Sequence, residues 1–162
     1  MGDASPRTYC GAELSPFQSV YLHGGKAREI WSIPRITVQG DHSSALVDIQ
    51  NPFLSPTDQR TFHLSVYTAM EFCSEVILVH AYTTLALPLK AEEAWMKECQ
   101  CHLIRPIRTY EGISVEMRAR SFRFIQGTAY CHGEFHVTDA MDGLFEIELK
   151  GFFRIQRGEL TS

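Results

Sequence analysis

The 162-residue sequence is poor in several features that would assign a protein class directly. It has no basic surplus: 15 Lys and Arg face 19 Asp and Glu, for a net charge of −4 and a pI near 6.0. That balance argues against a general affinity for nucleic acid or anionic membrane. It also lacks a membrane span. The longest apolar run, Leu64 to Leu87, carries Glu71, Glu75 and His80, whereas a spanning helix wants about 20 nearly uninterrupted apolar residues. The first residues, MGDASPRTYCGAELSP, have no basic region leading into an apolar one, so no secretory signal is read and a cytoplasmic protein is expected. Met1-Gly2 is not followed by Ser or Thr at the sixth position, where Pro6 stands, so no myristoylation is expected. Five cysteines, Cys10, Cys73, Cys99, Cys101 and Cys131, are scattered without C-x-x-C spacing, so neither a zinc site nor a disulfide framework is predicted. Cys99 and Cys101, two apart on a strand, share one face as buried thiols. No cofactor, metal, internal repeat or low-complexity segment is implied.

What is present is one long apolar helix among strands. A chain of this length buries roughly two thirds of its unfolded surface as one domain. Leu64 to Leu87 reads as a helix apolar on nearly all sides, to be wrapped by the rest of the protein. Thr68-Ala69-Met70-Glu71 has the T-x-x-E form of a capping box at its start, and Pro88 ends it. Residues 1–16 form a flexible leader. Phe17 to Leu22 and Glu29 to Val38 are short strands, the second bent at Pro34. After the turn Gly40-Asp41-His42, Ser44 to Gln50 alternates with period two. Residues 51–63, with two prolines, are an irregular loop feeding the helix, and Ala91 to Cys99 is a second, short helix. Cys99 to Arg108, Ile113 to Ile125, Ala129 to Val137 and Leu144 to Ile155 are long alternating strands. The parity flip near Arg120-Ser121 marks a β-bulge, and Asp142-Gly143 marks a hairpin return. The expected class is α+β, a single domain over 17–162 in which an antiparallel sheet wraps a long central helix. A second subunit commonly extends such a sheet, so a homodimer or higher homo-oligomer is expected.

That outline is the hotdog fold. HLSVYTAMEFCSEVILVHAYTTLAL, with the late strands SFRFIQGTAYCHGEFHV and GLFEIELKGFF, resembles the acyl-thioester enzymes of the FcoT-like, type III fatty acyl-CoA thioesterase family over roughly residues 44 to 155. That family carries an aromatic-Asn-Ala-hydrophobic-Glu motif at this helix start. Tyr67, Thr68, Ala69, Met70 and Glu71 match it at four of five positions, with Thr68 in the place of the asparagine that binds the thioester carbonyl or the attacking water. The family's upstream catalytic tyrosine has Arg60 and His63 as its nearest polar counterparts. A second, shorter resemblance links Asn51-Pro52-Phe53-Leu54 and Glu71 to 3-hydroxyacyl-carrier-protein dehydratases. Those enzymes pair a histidine loop with a helical carboxylate to remove an α-proton and protonate the leaving hydroxyl. The histidine position there falls near Thr57, leaving His63 as the substitute.

The helix start suits such chemistry physically, because its free N–H groups and positive dipole end hold a carbonyl that gains negative charge. Glu71 would activate water if partial burial raised its pKa; equally, Thr68 and Glu71 would serve as a helix cap alone. His132 and His136 belong to a solvated strand face, His80 to the core, and Asp48 could orient a site residue. Arg105, Arg108, Arg118, Arg120 and Arg123 concentrate positive charge suited to coenzyme A phosphates or an acidic carrier protein. The sequence therefore points to an acyl-thioester hydrolase, acting on acyl-CoA or acyl-carrier-protein substrates in fatty acid or polyketide-type metabolism. Thr68, Glu71 and His63 are the catalytic candidates, and Tyr67, Asn51, Phe53, Arg118 and Arg120 the substrate-binding ones. The other readings are a 3-hydroxyacyl-thioester dehydratase or isomerase, and a noncatalytic acyl-carrier-binding subunit.

Overall fold

The computed structural model describes residues 29–55, 61–87 and 93–155. The expected leader and the strand at Phe17 to Leu22 lie outside them. Chain order is β1 (Trp31–Gln39), β2 (His42–Ile49), the short β3 (Leu54–Ser55) and β4 (Thr61–Phe62), α1 (Val66–Thr84), β5 (Ala94–Arg105), β6 (Ile113–Ile125), β7 (Thr128–Thr138) and β8 (Leu144–Arg154). Six strands form one fully antiparallel sheet in the order β1-β2-β6-β7-β8-β5, so β5, which follows the helix, closes the far edge. The α+β arrangement of a sheet over one helix is the expected one.

Strict alternation makes the sheet two-faced. Val47 of β2, Val115 and Met117 of β6, Phe135 of β7 and Ile147 of β8 all point toward α1 and meet Phe72, Cys73 and Val76 in one buried cluster. The register shift between Ala119 and Ser121 is the bulge that the parity flip announced, and a second shift, between Ser32 and Arg35, brackets Pro34.

Four features differ from the sequence reading. Residues from Ala94 onward do not form a second helix; they are the first half of β5, hydrogen-bonded to β8 from Phe153 to Leu144. Ala, Met, Lys and Glu favour helix locally, but cross-strand pairing of the whole segment outweighs a propensity of a few tenths of a kcal/mol per residue. The loop at 51–63 contains a small ribbon, in which Leu54 pairs with Phe62 and Ser55 with Thr61. The helix ends at Thr84, four residues before Pro88, because Ala86 takes a left-handed conformation (φ 54°) and Leu87 N–H returns to the Tyr82 carbonyl at 2.9 Å. Finally, α1 is not wrapped on all sides: Tyr67, Glu71 and Glu75 lie on an exposed stripe, since one sheet covers one helix face.

One carboxylate ties the sheet to the start of the helix. Asp139 Oδ2 accepts the N–H groups of Arg108 (2.7 Å) and Thr109 (3.0 Å), and Oδ1 those of Met141 (2.9 Å) and Gly143 (2.7 Å). The neighbouring Ile107 carbonyl then accepts Leu64 N–H at 3.0 Å, fixing the residue just before the helix. The chains cross so closely here that a Cβ at Gly143 would lie 2.8 Å from Ile107 Cα; Asp142, with φ 64°, carries the positive φ of the hairpin. Burial alone would push the Asp139 carboxyl up, but the four backbone N–H groups outweigh it and hold its pKa below 3.8. Its contribution is thus present above the unfolded value near 3.8 and is lost as pH falls through the folded value. Asp139→Ala should cost about 3 kcal/mol in urea denaturation at pH 7. The difference from wild type should shrink below the unfolded value; a pH-independent difference would contradict this assignment.

Candidate active site

The chain leaves β4 through His63 and Leu64 and enters α1 at Ser65. Ser65 is extended (φ −76°, ψ 147°), and its Oγ accepts Thr68 N–H at 3.1 Å. The N-cap is therefore Ser65, and the T-x-x-E stretch begins three residues into the helix rather than at its cap. Either hydroxyl residue can cap; the bond from Leu64 N–H to the Ile107 carbonyl holds Leu64 outside the helix and selects the earlier one.

Thr68, displaced from the cap, is fully buried. Its Oγ1 donates to Glu29 Oε2 at 2.6 Å and lies 3.0 Å from Ser65 Oγ. With the Thr68 proton given to the carboxylate, Ser65 is left to donate to Thr68, and the three side chains form a directed chain ending on Glu29. Glu29 is itself buried, only 7% exposed. Two residues further on, Trp31 Nε1 donates to Glu71 Oε2 at 3.1 Å, and the indole packs edge-on against Phe72 at 6.2 Å. Two carboxylates, one buried and one exposed, thus flank Trp31 beside the first turns of α1.

The other predicted residues divide by sheet face. His63 is half-buried, with Nε2 3.4 Å from Thr61 Oγ1 and 3.5 Å from Arg108 Nη1, which donates to Thr61 Oγ1 at 3.1 Å. Tyr67 is exposed and Phe53 half-buried. Asn51 Oδ1 accepts Ile30 N–H, and Ile30 O accepts Gln50 N–H at 2.8 Å, so Asn51 holds the extended segment that carries Glu29. Arg118 and Arg120 lie on the sheet face away from α1, where they pair with Asp41 (3.4 Å) and Glu134 (2.6 Å). The hydrogen bond to Glu134 raises the Arg120 pKa. His132 and His136 share that outer face with Glu148 (2.8 Å) and Glu146 (3.9 Å). Asp48 holds a turn by accepting Gly112 N–H at 2.7 Å. His80 Nδ1 is 2.9 Å from Ser43 Oγ in the core, where burial lowers its pKa despite the opposing pull of Asp41.

The thiols gather under the helix, with Cys99 Sγ 3.3 Å from Cys101 Sγ and 3.2 Å from Met70 Sδ. Burial pushes the Cys99 and Cys131 pKa values up to about 12 and raises that of Cys73, so they remain protonated and weakly nucleophilic. Among the described residues no group of three His, Cys, Asp or Glu is arranged to hold a metal, and no helix is long and apolar enough to cross a membrane. An apolar cavity of about 150 Å³ opens between Ile77 and Leu78 of α1 and Trp95, Met96 and Phe153 at the β5–β8 edge.

No family model matches the chain, and no curated protein does. Solved structures do match. A Streptococcus mutans protein bound to acetyl CoA superposes with a TM-score of 0.55 at 10% identity, over 85% of this chain and 98% of its own. A hypothetical thioesterase from Streptococcus pneumoniae with coenzyme A gives 0.52 at 9%, over 79% and 88%. A variant of a thioesterase enzyme from Staphylococcus aureus gives 0.52 at 7%, over 76% and 93%. The chain has the hotdog fold. In this hotdog α1, the one helix among the described residues, runs between β4 and β5; Ser65 and Thr68 at its start meet Glu29 from the segment before β1, and Glu71 lies on the second turn. Sequence reading missed Glu29, Trp31 and Ser65. Ser65 did have a signal, being a serine three residues before a second hydroxyl at the head of an apolar run; Glu29 had none, since nothing local marks a strand-entry glutamate that folds onto a helix 39 residues away.

The capping assignment is testable. Ser65→Ala should cost about 1 kcal/mol, whereas Glu71→Gln, exposed and past the cap, should stay within about 0.5 kcal/mol. Guanidinium denaturation of both variants separates them, and the reverse order would restore the T-x-x-E cap.

Proposed function

We propose that this hotdog protein hydrolyses acyl thioesters at the first turn of α1. The observation that carries the reading is the start of α1: backbone N–H groups stand at the positive helix end, and Glu71 follows on the second turn of the exposed stripe. The Val66 and Tyr67 N–H groups have no partner within the helix and can take the thioester oxygen as it becomes an oxyanion. Glu71, on the exposed stripe beside Trp31, orients the attacking water. Thr68, whose proton is committed to Glu29, positions the turn. His63 and Arg108 border the entrance from the β4 side, and Asn51 and Phe53 border it from the β3 side. The fold supports this reading, since solved hotdogs of similar shape hold acetyl CoA or coenzyme A. Acyl-CoA and acyl-carrier-protein thioesters are both suitable substrates, in fatty acid or polyketide-type metabolism, with the chain in the apolar cavity beside Ile77. The site suits a cytoplasmic enzyme without a cofactor.

The protein is proposed to work as a homodimer. The β5 edge is 12 residues long, has no strand beyond it among the described residues, and presents Trp95 (62% exposed), Leu103 (54%) and Ile104 (51%). A long apolar edge of this kind invites antiparallel pairing with a second copy.

Two measurements test the reading. Purified protein should release free thiol from at least one member of an acyl-CoA and acyl-carrier panel, and Glu71→Gln should lower kcat about 100-fold while moving Tm by only a few degrees. Silence across the panel would sink hydrolysis and make interconversion of 3-hydroxyacyl and enoyl thioesters the next assay. Light scattering should give twice the 18.4 kDa chain mass, and Leu103→Lys should shift it to the single-chain value; an unshifted variant would place the interface elsewhere.

A further inference from the structure

The buried carboxylate of Glu29 has no part in the reading above. We infer that Glu29 is the catalytic base of this site, the group that takes the proton of the attacking water, and that Thr68 is its positioning residue. The inference rests on the hydrolase reading and deepens it.

A carboxylate withdrawn from water is costly unless it is paired with a cation or saturated with hydrogen bonds. Glu29 is 7% exposed, and among the described residues its side chain meets one neutral donor, the Thr68 hydroxyl at 2.6 Å, and no cation. The buried carboxylate Asp139, by contrast, accepts four backbone N–H groups. Folding needs a cap at this turn, and Ser65 already supplies it. A buried acid with so little compensation, aimed at a helix start, is the kind of group that active sites retain at the expense of stability.

Its placement is also over-determined. Asn51 grips the backbone at Ile30, Gln50 N–H bonds the Ile30 carbonyl, and Trp31 is locked between Glu71 and Phe72. With Oε2 held by Thr68, in the same helical turn as Val66 and Tyr67, the second oxygen of Glu29 is left for a water. The step balances on its own. Water oxygen bonds to the thioester carbon as one water proton passes to Glu29. The tetrahedral intermediate then expels the thiolate, the C–S bond breaks, and Glu29 returns the proton to the sulfur, leaving a carboxylic acid and a thiol.

Glu29→Gln separates this role from a structural one, because the amide oxygen still accepts from Thr68 while the base is lost. It should lower kcat by about 100-fold or more, leave KM within about threefold, and keep or raise Tm. Thr68→Ser should retain most activity, and Thr68→Val should lose kcat together with stability. An active wild type with an equally active Glu29→Gln variant, or a variant whose loss lies in KM and Tm rather than kcat, overturns this assignment and leaves hydrolysis standing. A wild type silent on the whole thioester panel removes both.

Discussion

A sheet that covers only one face of a single helix must both build the core and leave the other face to solvent or to ligand. Phe72, Cys73 and Val76 supply the buried side, and Tyr67, Glu71 and Glu75 the open one. The first turn already shows both sides: Thr68 and Ala69 are fully buried, and Tyr67 is exposed. Burial of apolar surface drives the docking, but it does not set where along its axis the helix starts. That register comes from a few polar contacts: Leu64 to Ile107, Ser65 to Thr68 and Thr68 to Glu29.

Those contacts connect parts of the chain that are far apart. Asp139, in the β7–β8 hairpin, holds the loop after β5; that loop holds the residue before the helix; and the helix holds the segment before β1 through Thr68. Rigidity at the proposed site therefore derives from the sheet as a whole. The proposed hydrolysis needs this, since donors preorganised for an oxyanion act without reorganising when charge develops.

The two sheet faces have divided the polar residues by role. The outer face gathers Arg118 with Asp41 and Arg120 with Glu134 into exposed pairs, which contribute little to stability, and the half-buried His132 with Glu148. The inner face admits few polar groups, and each has a partner of its own: Ser43 with His80, and Thr68 with Glu29. Of the basic cluster that looked suited to phosphate recognition, Arg118 and Arg120 thus sit on the sheet face opposite the helix, because strand alternation, not sequence proximity, decides which face a side chain takes, whereas Arg108, past the end of β5, lies beside Thr61 and His63.

The sequence by itself determined the elements whose signal is periodic. Alternation along β2, β6, β7 and β8, the parity flip at the bulge and the long, mostly apolar helix are properties of consecutive residues, and the order of those elements restricts the topology to an antiparallel sheet over a helix. Tertiary structure decided what no local pattern encodes. The segment from Ala94 became a strand because β8 offered it a pairing edge. Ser65, not Thr68, became the cap because a distant carbonyl held Leu64 outside the helix. Glu29 came to lie against the helix start because a buried hydroxyl waited 39 residues downstream. Each of these choices compares small local preferences with contacts made only after the chain has folded, and the contacts prevail because their partners are brought together by burial elsewhere.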